Sequence, residues 1–214
     1  MYEQISLLDT QPYNNNFENK PTQKVVVRTD GEVILYSNFF SRQESDHFFH
    51  NLYSSVEWKQ DKIQIFGKNM PLPRLTAWYG DEGKSYTYSG IEQHPEPWTP
   101  LLKSIKSKIE ELSEVSFNSV LLNLYRDGKD SVSWHSDDEP ELGKNPIIAS
   151  VSFGATRRFS LKHKISKSRK VDIDLAKGSF LLMKGETQHF WQHQIAKTSK
   201  PVQARINLTF RKIY

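Results

Sequence analysis

Polar and apolar side chains alternate without interruption over residues 205–211, which read RINLTFR. A period of two residues is typical of a half-buried β-strand. The pattern therefore predicts one apolar face and one polar face that carries Arg205 and Arg211. From about residue 118 onward, further short strands are separated by turn signals at Asp127-Gly128 and at single glycines. This succession predicts an antiparallel all-β sandwich or barrel.

The first half of the chain predicts a hairpin and two helices. Strands are expected at Val25–Arg28 and Glu32–Tyr36, around an Asp-Gly turn. Ser41 and Glu44 have the spacing of a capping box, and apolar residues at helical spacing follow them, which predicts the first helix. The second helix is predicted from Trp98 to Leu112, with an apolar stripe formed by Leu101, Leu102, Ile105, Ile109 and Leu112.

The chain is expected to form one domain with a flexible N-terminal arm. Residues 1–24 are rich in Asn, Gln and Pro and lack hydrophobic periodicity, so they predict the arm. Residues 25–214 contain no internal repeat and no linker long enough to divide them. At 214 residues the chain is long enough for one domain with a substantial hydrophobic core.

Composition limits the chemistry and the cellular setting. The chain has no cysteine, so a transition metal must be held by histidine and carboxylate side chains. A net charge of +4 is compatible with a nucleic-acid partner, although many basic proteins bind none. The apolar runs are too short to span a bilayer, and the first residues do not resemble a signal peptide. We therefore expect a soluble protein that is not secreted, cytoplasmic in a bacterium or nuclear in a eukaryote.

Residues 123–139, NLYRDGKDSVSWHSDDE, contain a His-x-Asp pair at His135 and Asp137. In an extended segment residues i and i+2 share a face, so the imidazole and the carboxylate converge. A third ligand on a facing strand would complete the two-histidine, one-carboxylate triad of non-haem Fe(II) oxygenases. The segment HFWQHQ offers His193 for this place, and His189 would share its face. The alternative reading is a surface histidine beside solvated acids.

The two arginines of RINLTFR lie six residues apart, roughly 20 Å along an extended strand. Two long side chains that lean toward each other leave a gap suited to a short diacid. Arginine is the preferred side chain for bidentate recognition of carboxylates. A diacid that also chelates iron is 2-oxoglutarate. The arginines and the iron held by the proposed triad would then bind the same molecule.

Four blocks, in order, resemble the AlkB family of Fe(II)/2-oxoglutarate-dependent nucleic-acid demethylases. They are NLYRDGKDSVSWHSDDEPELG, PIIASVSFGATRRF, KGSFLLMKGETQHFWQH and RINLTFR, and the likeness covers about residues 25–214. The resemblance implies a mainly β fold: a double-stranded β-helix, or jelly-roll, core with two supporting helices in the N-terminal half. It also favours His193 over His189 as the third iron ligand, because the family's spacing to RINLTFR fits His193.

The resemblance further implies how 2-oxoglutarate binds beside an iron held by His135, Asp137 and His193. Arg205 would pair with the distal carboxylate and Arg211 would neutralise the C1 end. Further hydrogen bonds would come from Asn123, Tyr125 and Asn207. The remaining coordination position is expected to take O2, and decarboxylation of 2-oxoglutarate would drive hydroxylation of an N-methyl group and release of formaldehyde.

Residues 63–90 combine aromatic, turn-forming and basic residues and do not have the pattern of a core element. The resemblance assigns a nucleotide-recognition lid here. Tyr88 would stack on the target base, Tyr86 would form a hydrogen bond nearby, and Phe66 would fill the gap that a flipped base leaves in duplex DNA. The alternative is an ordinary aromatic hairpin that packs on the sheet.

Two further features bear on substrate recognition, and the other histidines have no assigned role. Asp138 and Glu139 would, by resemblance, contact the exocyclic amino group and positive charge of the methylated base. KHKISKSRK at residues 162–170 is either a phosphate-contacting tip or a solvated hairpin. The remaining histidines, including His163, have no apparent acidic partner and are interpreted as surface or packing residues.

The expected activity is direct-reversal repair of alkylation damage: oxidative demethylation of 1-methyladenine and 3-methylcytosine in single- or double-stranded DNA. An RNA demethylase, or a protein side-chain hydroxylase of the same fold, is the alternative within this chemistry. A catalytically silent nucleic-acid-binding module would not need the three ligands and both arginines, and a zinc hydrolase would not explain the arginines. We expect a monomer without membrane association.

Overall fold

The computed structural model describes residues 20–65, 68–83, 86–88 and 91–214. The helices of these residues are α1 (Arg42–Ser55), α2 (Pro100–Ser113), α3 (Thr187–Phe190) and a short 3-10 helix at Pro140–Leu142. The strands are β1 (Thr22–Val27), β2 (Glu32–Ser37), β3 (Lys62–Ile65), β4 (Lys68–Pro71), β5 (Leu75–Gly80), β6 (Tyr86–Tyr88), β7 (Ile91–Gln93), β8 (Glu96–Pro97), β9 (Ser119–Tyr125), β10 (Val132–His135), β11 (Ile148–Gly154), β12 (Arg157–His163), β13 (Lys170–Leu175), β14 (Ser179–Lys184), β15 (Trp191–Ile195) and β16 (Arg205–Arg211).

Two β-sheets form the body of the protein. The major sheet has the strand order β1-β2-β14-β11-β16-β9-β5-β8, and the minor sheet has the order β10-β15-β12-β13. All their strand pairs are antiparallel except the short contact of β5 with β8. Two small hairpins, β3-β4 and β6-β7, lie outside both sheets. No helix among the described residues is long and apolar enough to cross a membrane.

The major sheet has an apolar cluster on each side. One cluster joins Ile206 and Leu208 of β16 to Leu102 of α2, and so attaches the helices to one face of the sheet. The other joins Leu181 of the major sheet to Leu161 of the minor sheet, and so fills the space between the sheets. Burial of apolar surface on both sides fixes the major sheet as the central layer of the fold.

The alternation predicted for residues 205–211 is present, but the expectation of a half-buried strand was wrong. From Arg205 to Phe210 every residue of β16 is buried, because the polar face looks into the space between the sheets and not into solvent. The arginines and the polar residues between them therefore line an interior site.

The two predicted helices are confirmed, with one correction. The Oγ of Ser41 accepts from the backbone N–H of Glu44, and the Glu44 carboxylate accepts from the N–H of Ser41, which completes the predicted capping box. Helix α2 begins at Pro100 after an N-cap at Thr99, and Leu102, Ile105 and Ile109 are buried as predicted. Leu112, in the last turn, is 41% exposed, so the buried stripe ends at Ile109.

Two other expectations change in the first hundred residues. Strand β1 begins at Thr22, three residues earlier than predicted, so residues 22–24 belong to the sheet and not to an arm. Residues 75–80, expected within a lid without core character, form β5 of the major sheet, where Ala77 and Tyr79 are buried. Residues 1–19 of the expected arm lie outside the described residues.

Candidate metal and cosubstrate site

A register shift in the minor sheet assembles the three predicted metal ligands. Strand β10 pairs with β15 so that Val132 faces Ile195 and His135 faces His193, which leaves two residues of β10 opposite one of β15. This bulge turns His135 toward the same interior face as Val132, although the two residues are three positions apart. The ligand atoms of His135, Asp137 and His193 all lie within 4.8 Å of one another.

Hydrogen bonds fix the orientation of these ligands. The backbone carbonyl of Ser133 lies 2.8 Å from Nδ1 of His135, so Nδ1 is the donor and Nε2 is available to a metal. The backbone N–H of Asp137 donates to Oε1 of the buried Gln188 at 3.0 Å. Oδ2 of Asp137 and Nδ1 of His193 are buried and have no hydrogen-bond partner among the described residues. A divalent metal would satisfy buried groups of this kind.

The electrostatics keep the acid and the interior histidine in their metal-binding forms. Burial by itself raises the pKa of Asp137, but the positive charge of Arg211 and the neighbouring histidines lowers it to about 2. Burial, followed by the charge of His135, lowers the pKa of His193 to about 3. At neutral pH Asp137 is therefore a carboxylate and His193 a neutral imidazole, as coordination requires. Two imidazoles and one carboxylate on one side fit Fe(II) with positions left open.

A cavity of about 60 Å³ lies between the sheets beside the triad. It brings together all five residues predicted to bind 2-oxoglutarate, namely Asn123, Tyr125, Arg205, Asn207 and Arg211. They come from β9 and β16, which are neighbours in the major sheet, with Arg205 opposite Tyr125 and Asn207 opposite Asn123. The register of one strand pair thus collects residues that lie eighty or more positions apart in sequence.

Arg205 has the environment of an anion-binding arginine. It is 1% exposed, and its Nη2 donates to Oγ of Ser152 at 2.9 Å. Its Nε and Nη1 are buried without a hydrogen-bond partner in the described part of the chain. Burial lowers the pKa of Arg205 to about 10. A buried guanidinium with two unused donors is costly unless a carboxylate joins it, so the residues fit the distal end of 2-oxoglutarate.

Arg211 and Asn207, like Arg205, have protein partners in the cavity. Nη2 of Arg211 donates to Oδ1 of Asp137 at 2.9 Å, so this arginine contacts a predicted metal ligand. Both N–H groups of the Asn207 amide are engaged, with Oγ of Ser150 at 2.8 Å and the carbonyl of Val151 at 3.1 Å. The direct contacts of Arg211 and Asn207 with 2-oxoglutarate stay predictions.

Arg74 belongs to the site and was not found from the sequence. Its Nε donates to Oδ1 of Asn123 at 2.7 Å. This contact fixes the rotamer of the amide and directs Nδ2 of Asn123 toward Asn207, 3.5 Å away. Nothing in the local pattern around residue 74 indicates this role, because the contact depends on the pairing of β5 with β9.

Comparison with known proteins identifies the family. Residues 32–211 match the family described as the 2OG-Fe(II) oxygenase superfamily. The chain is 47% identical over 191 residues to Alpha-ketoglutarate-dependent dioxygenase alkB homolog 3 of Mus musculus, a match that covers 85% of this chain and 66% of the relative. It is 40% identical over 197 residues to DNA oxidative demethylase ALKBH2 of the same species, with 87% and 82% covered. This chain belongs to the AlkB family of 2OG-Fe(II) oxygenases.

Membership in this family confirms the resemblance found in the sequence, and oxygenases of this family use Fe(II), 2-oxoglutarate and O2. A solved structure, "The structure of OsALKBH1", superposes with a TM-score of 0.62 at 19% identity, covering 84% of this chain and 97% of that one. This likeness confirms the jelly-roll fold. The oxygenase spans about two thirds (66%) of the length of the alkB homolog 3 relative.

A second cavity, of about 470 Å³, is lined in part by His135 and Asp137 and is large enough for a nucleobase. Glu139 lines it, and Oε2 of Glu139 is buried without a hydrogen-bond partner in the described residues. Asp138 is instead exposed and pairs with Nζ of Lys164 at 3.2 Å. The sequence assigns Asp138 and Glu139 the same role, but in the structure only Glu139 lines the cavity.

Three predicted substrate-binding groups cannot be placed. Phe66 lies outside the described residues, as do the side chains of Tyr86 and Tyr88, whose backbone forms part of β6. Their roles at the target base stay predictions from the sequence.

The interpretation of His163 as a histidine without an acidic partner was wrong. His163 is 6% exposed, and its Nε2 lies 3.1 Å from Oδ2 of Asp30. Its Nδ1 accepts from the backbone N–H of Ser166 at 2.9 Å, so Nε2 carries the proton and donates to Asp30. Arg169 contacts the same carboxylate. These bonds attach the base of the basic hairpin to the turn between β1 and β2.

Proposed function

We propose that this oxygenase removes N-linked methyl groups from bases of DNA, with 1-methyladenine and 3-methylcytosine as its substrates. The observation that carries the proposal is the position of the His–Asp–His triad. The triad lines a cavity that also contains the buried, incompletely paired Arg205, and its His135 and Asp137 also line a second cavity of nucleobase size. Relatives named as a DNA oxidative demethylase support DNA as the substrate.

The chain's own residues bind and orient the reactants. His135, Asp137 and His193 would hold Fe(II), and Arg205 would bind the distal carboxylate of 2-oxoglutarate. Arg211 would keep Asp137 ionised and in place through their hydrogen bond of 2.9 Å. Bound Fe(II) and 2-oxoglutarate supply the oxidation, in which O2 and 2-oxoglutarate yield succinate, CO2 and a hydroxylated N-methyl group. Loss of formaldehyde then restores the neutral, unmodified base nitrogen, and the hydroxyl proton passes to solvent.

Glu139 supports a preference for cationic lesions. Its carboxylate oxygen is buried at the wall of the larger cavity and lacks a partner in the described residues. A base methylated at N1 of adenine or N3 of cytosine carries a positive charge and an exocyclic amino group. Such a base pairs poorly, which lowers the cost of flipping it out of the stack, and a carboxylate would bind it in preference to a neutral base.

The test is turnover of a short DNA strand that contains a single 1-methyladenine. Purified protein with Fe(II) and 2-oxoglutarate should release one formaldehyde per methyl group lost. His135→Ala, Asp137→Ala and His193→Ala should each abolish release, while His189→Ala, which changes a neighbouring exposed histidine, should retain it. A methylated RNA strand and a methylated-lysine peptide form parallel arms. Exclusive turnover of either would overturn the proposal for DNA.

A further inference from the structure

The residue before the metal ligand His135 is an aromatic side chain with no assigned role. Trp134 is half-buried and lies at the rim of the larger cavity. It occupies the bulge of β10, where two residues face one residue of β15. A bulge commonly re-aims a side chain next to a functional site. Trp134 and His135 thus both line the larger cavity.

A lysine from another strand lies over this indole. Nζ of Lys162 in β12 is 4.4 Å from the ring centroid of Trp134. Among the described residues Lys162 forms no ion pair, in contrast to Lys164, which pairs with Asp138. Lys162 also begins the basic hairpin KHKISKSRK. An aromatic face beside an unpaired ammonium group combines the two features that recognise a nucleotide: a surface for the base and a charge for the phosphate.

We propose that Trp134 and Lys162 form a subsite for the nucleotide next to the target base in a single strand. The base of this nucleotide stacks on Trp134 and its phosphate pairs with Lys162. An ammonium group over a partly exposed indole contributes less than base stacking, so the incoming base displaces Lys162 from the ring, and the released ammonium meets the phosphate. The proposal rests on the proposed function in one respect, namely that the target base occupies the larger cavity.

The chain contains a matched pair for comparison. Lys106 lies 5.3 Å from the ring centroid of Trp98 and so repeats the lysine-over-indole contact. Trp98, however, lines neither cavity and stacks on Phe210, and Lys106 pairs with Glu110 at 3.3 Å. Changes at Trp98 and Lys106 remove the same chemical groups from a place where no nucleotide is expected.

The experiment measures binding of an unmethylated single-stranded oligonucleotide to the full chain, loaded with Fe(II) and 2-oxoglutarate without oxygen. Stacking should quench part of the tryptophan fluorescence. The quenching on oligonucleotide binding should be absent in Trp134→Phe and unchanged in Trp98→Phe. Trp134→Ala should weaken binding about 5- to 100-fold, and Trp134→Phe, which keeps an aromatic face, should weaken it less.

The salt dependence of binding separates the lysine from the tryptophan. Lys162→Ala should reduce the slope of log Kd against log salt by about 0.7, the value for one phosphate of a single strand, whereas Lys106→Ala should leave it unchanged. Equal quenching in wild type and Trp134→Phe, or an unchanged slope in Lys162→Ala, would overturn the subsite. Because no methyl group is removed, these outcomes are independent of whether the proposed demethylation occurs.

Discussion

Arg211 donates a hydrogen bond of 2.9 Å from Nη2 to Oδ1 of Asp137. An arginine that the sequence assigns to the cosubstrate is therefore also the electrostatic partner of a predicted metal ligand. Its charge is the main reason that the pKa of Asp137 falls to about 2 although burial acts in the opposite direction. The predicted metal site and the predicted 2-oxoglutarate cavity thus share one guanidinium.

Removal of this guanidinium should weaken Fe(II) binding as well as 2-oxoglutarate binding. We expect Arg211→Ala to lower Fe(II) affinity by about 10- to 100-fold, because loss of a group that orients a metal ligand typically has this effect. Arg211→Lys should restore part of it, since lysine keeps the charge but not the planar fork. Anaerobic titration, followed by the visible absorption of iron-bound 2-oxoglutarate, measures this. Unchanged Fe(II) affinity would mean that Arg211 contributes to 2-oxoglutarate binding only.

Arg205 should strengthen 2-oxoglutarate binding but should not stabilise the ligand-free protein. Arg205→Met should raise the KM for 2-oxoglutarate by about 10- to 100-fold, because a charged hydrogen bond is worth about 1.5–3 kcal/mol. The same change should leave the melting temperature of the ligand-free protein equal or higher, since a buried guanidinium with unused donors is costly.

Arg157 is the matched control for Arg205. It is 3% exposed, but its Nη atoms donate to the carbonyl groups of Asp127, Asp130 and Ala196. Arg157→Met should therefore lower the melting temperature, because it leaves carbonyl groups without partners. Thermal denaturation of the two variants tests this difference between Arg205 and Arg157. A large fall in melting temperature in Arg205→Met would show that Arg205, like Arg157, stabilises the ligand-free protein.

Protonation of Asp130 should account for part of the stability that the protein loses in acid. Burial raises the pKa of Asp130, but hydrogen bonds from the side chain and backbone N–H of Arg126 outweigh it and lower the pKa below its usual value of 3.8. Since the folded-state pKa lies below the unfolded one, the contribution is complete above about pH 4 and is lost as pH falls through the folded-state pKa. Melting temperatures from pH 7 to pH 2.5 should show a smaller acid decline in Asp130→Asn and in Arg126→Gln. An identical decline in both variants and wild type would contradict this.

The lid prediction comes from the sequence alone, because Phe66 and the side chain of Tyr88 lie outside the described residues. Stacking on the target base is needed with any substrate, so Tyr88→Ala should reduce repair of single-stranded and duplex DNA alike. A wedge is needed only where a stack must be opened, so Phe66→Ala should reduce repair of duplex DNA and spare the single strand. Repair of both substrates, measured in parallel, tests the assignment. Equal losses in Phe66→Ala would rule out the wedge.

The sequence alone was sufficient to predict features that depend on the periodicity of a single strand or helix, or on the order of motifs along the chain. A spacing of two residues placed Asn123 with Tyr125 and Arg205 with Asn207, and the structure brings all four to one cavity. The capping box at Ser41 likewise needs only neighbouring residues. These features were predictable because the repeat of a strand or a helix is fixed by backbone geometry within a few residues.

Features that depend on packing between distant segments were decided by the tertiary structure. The polar face of β16 is buried because a second sheet covers it, and alternation alone cannot distinguish a covered face from a solvated one. His163 pairs with Asp30 across 133 residues, and Arg74 reaches Asn123 through the register of β5 with β9. A bulge in β10, and not simple alternation, directs His135 toward His193. Strand register and sheet packing emerge only when the whole chain has folded, which is why the local pattern could identify the ligands but not their partners.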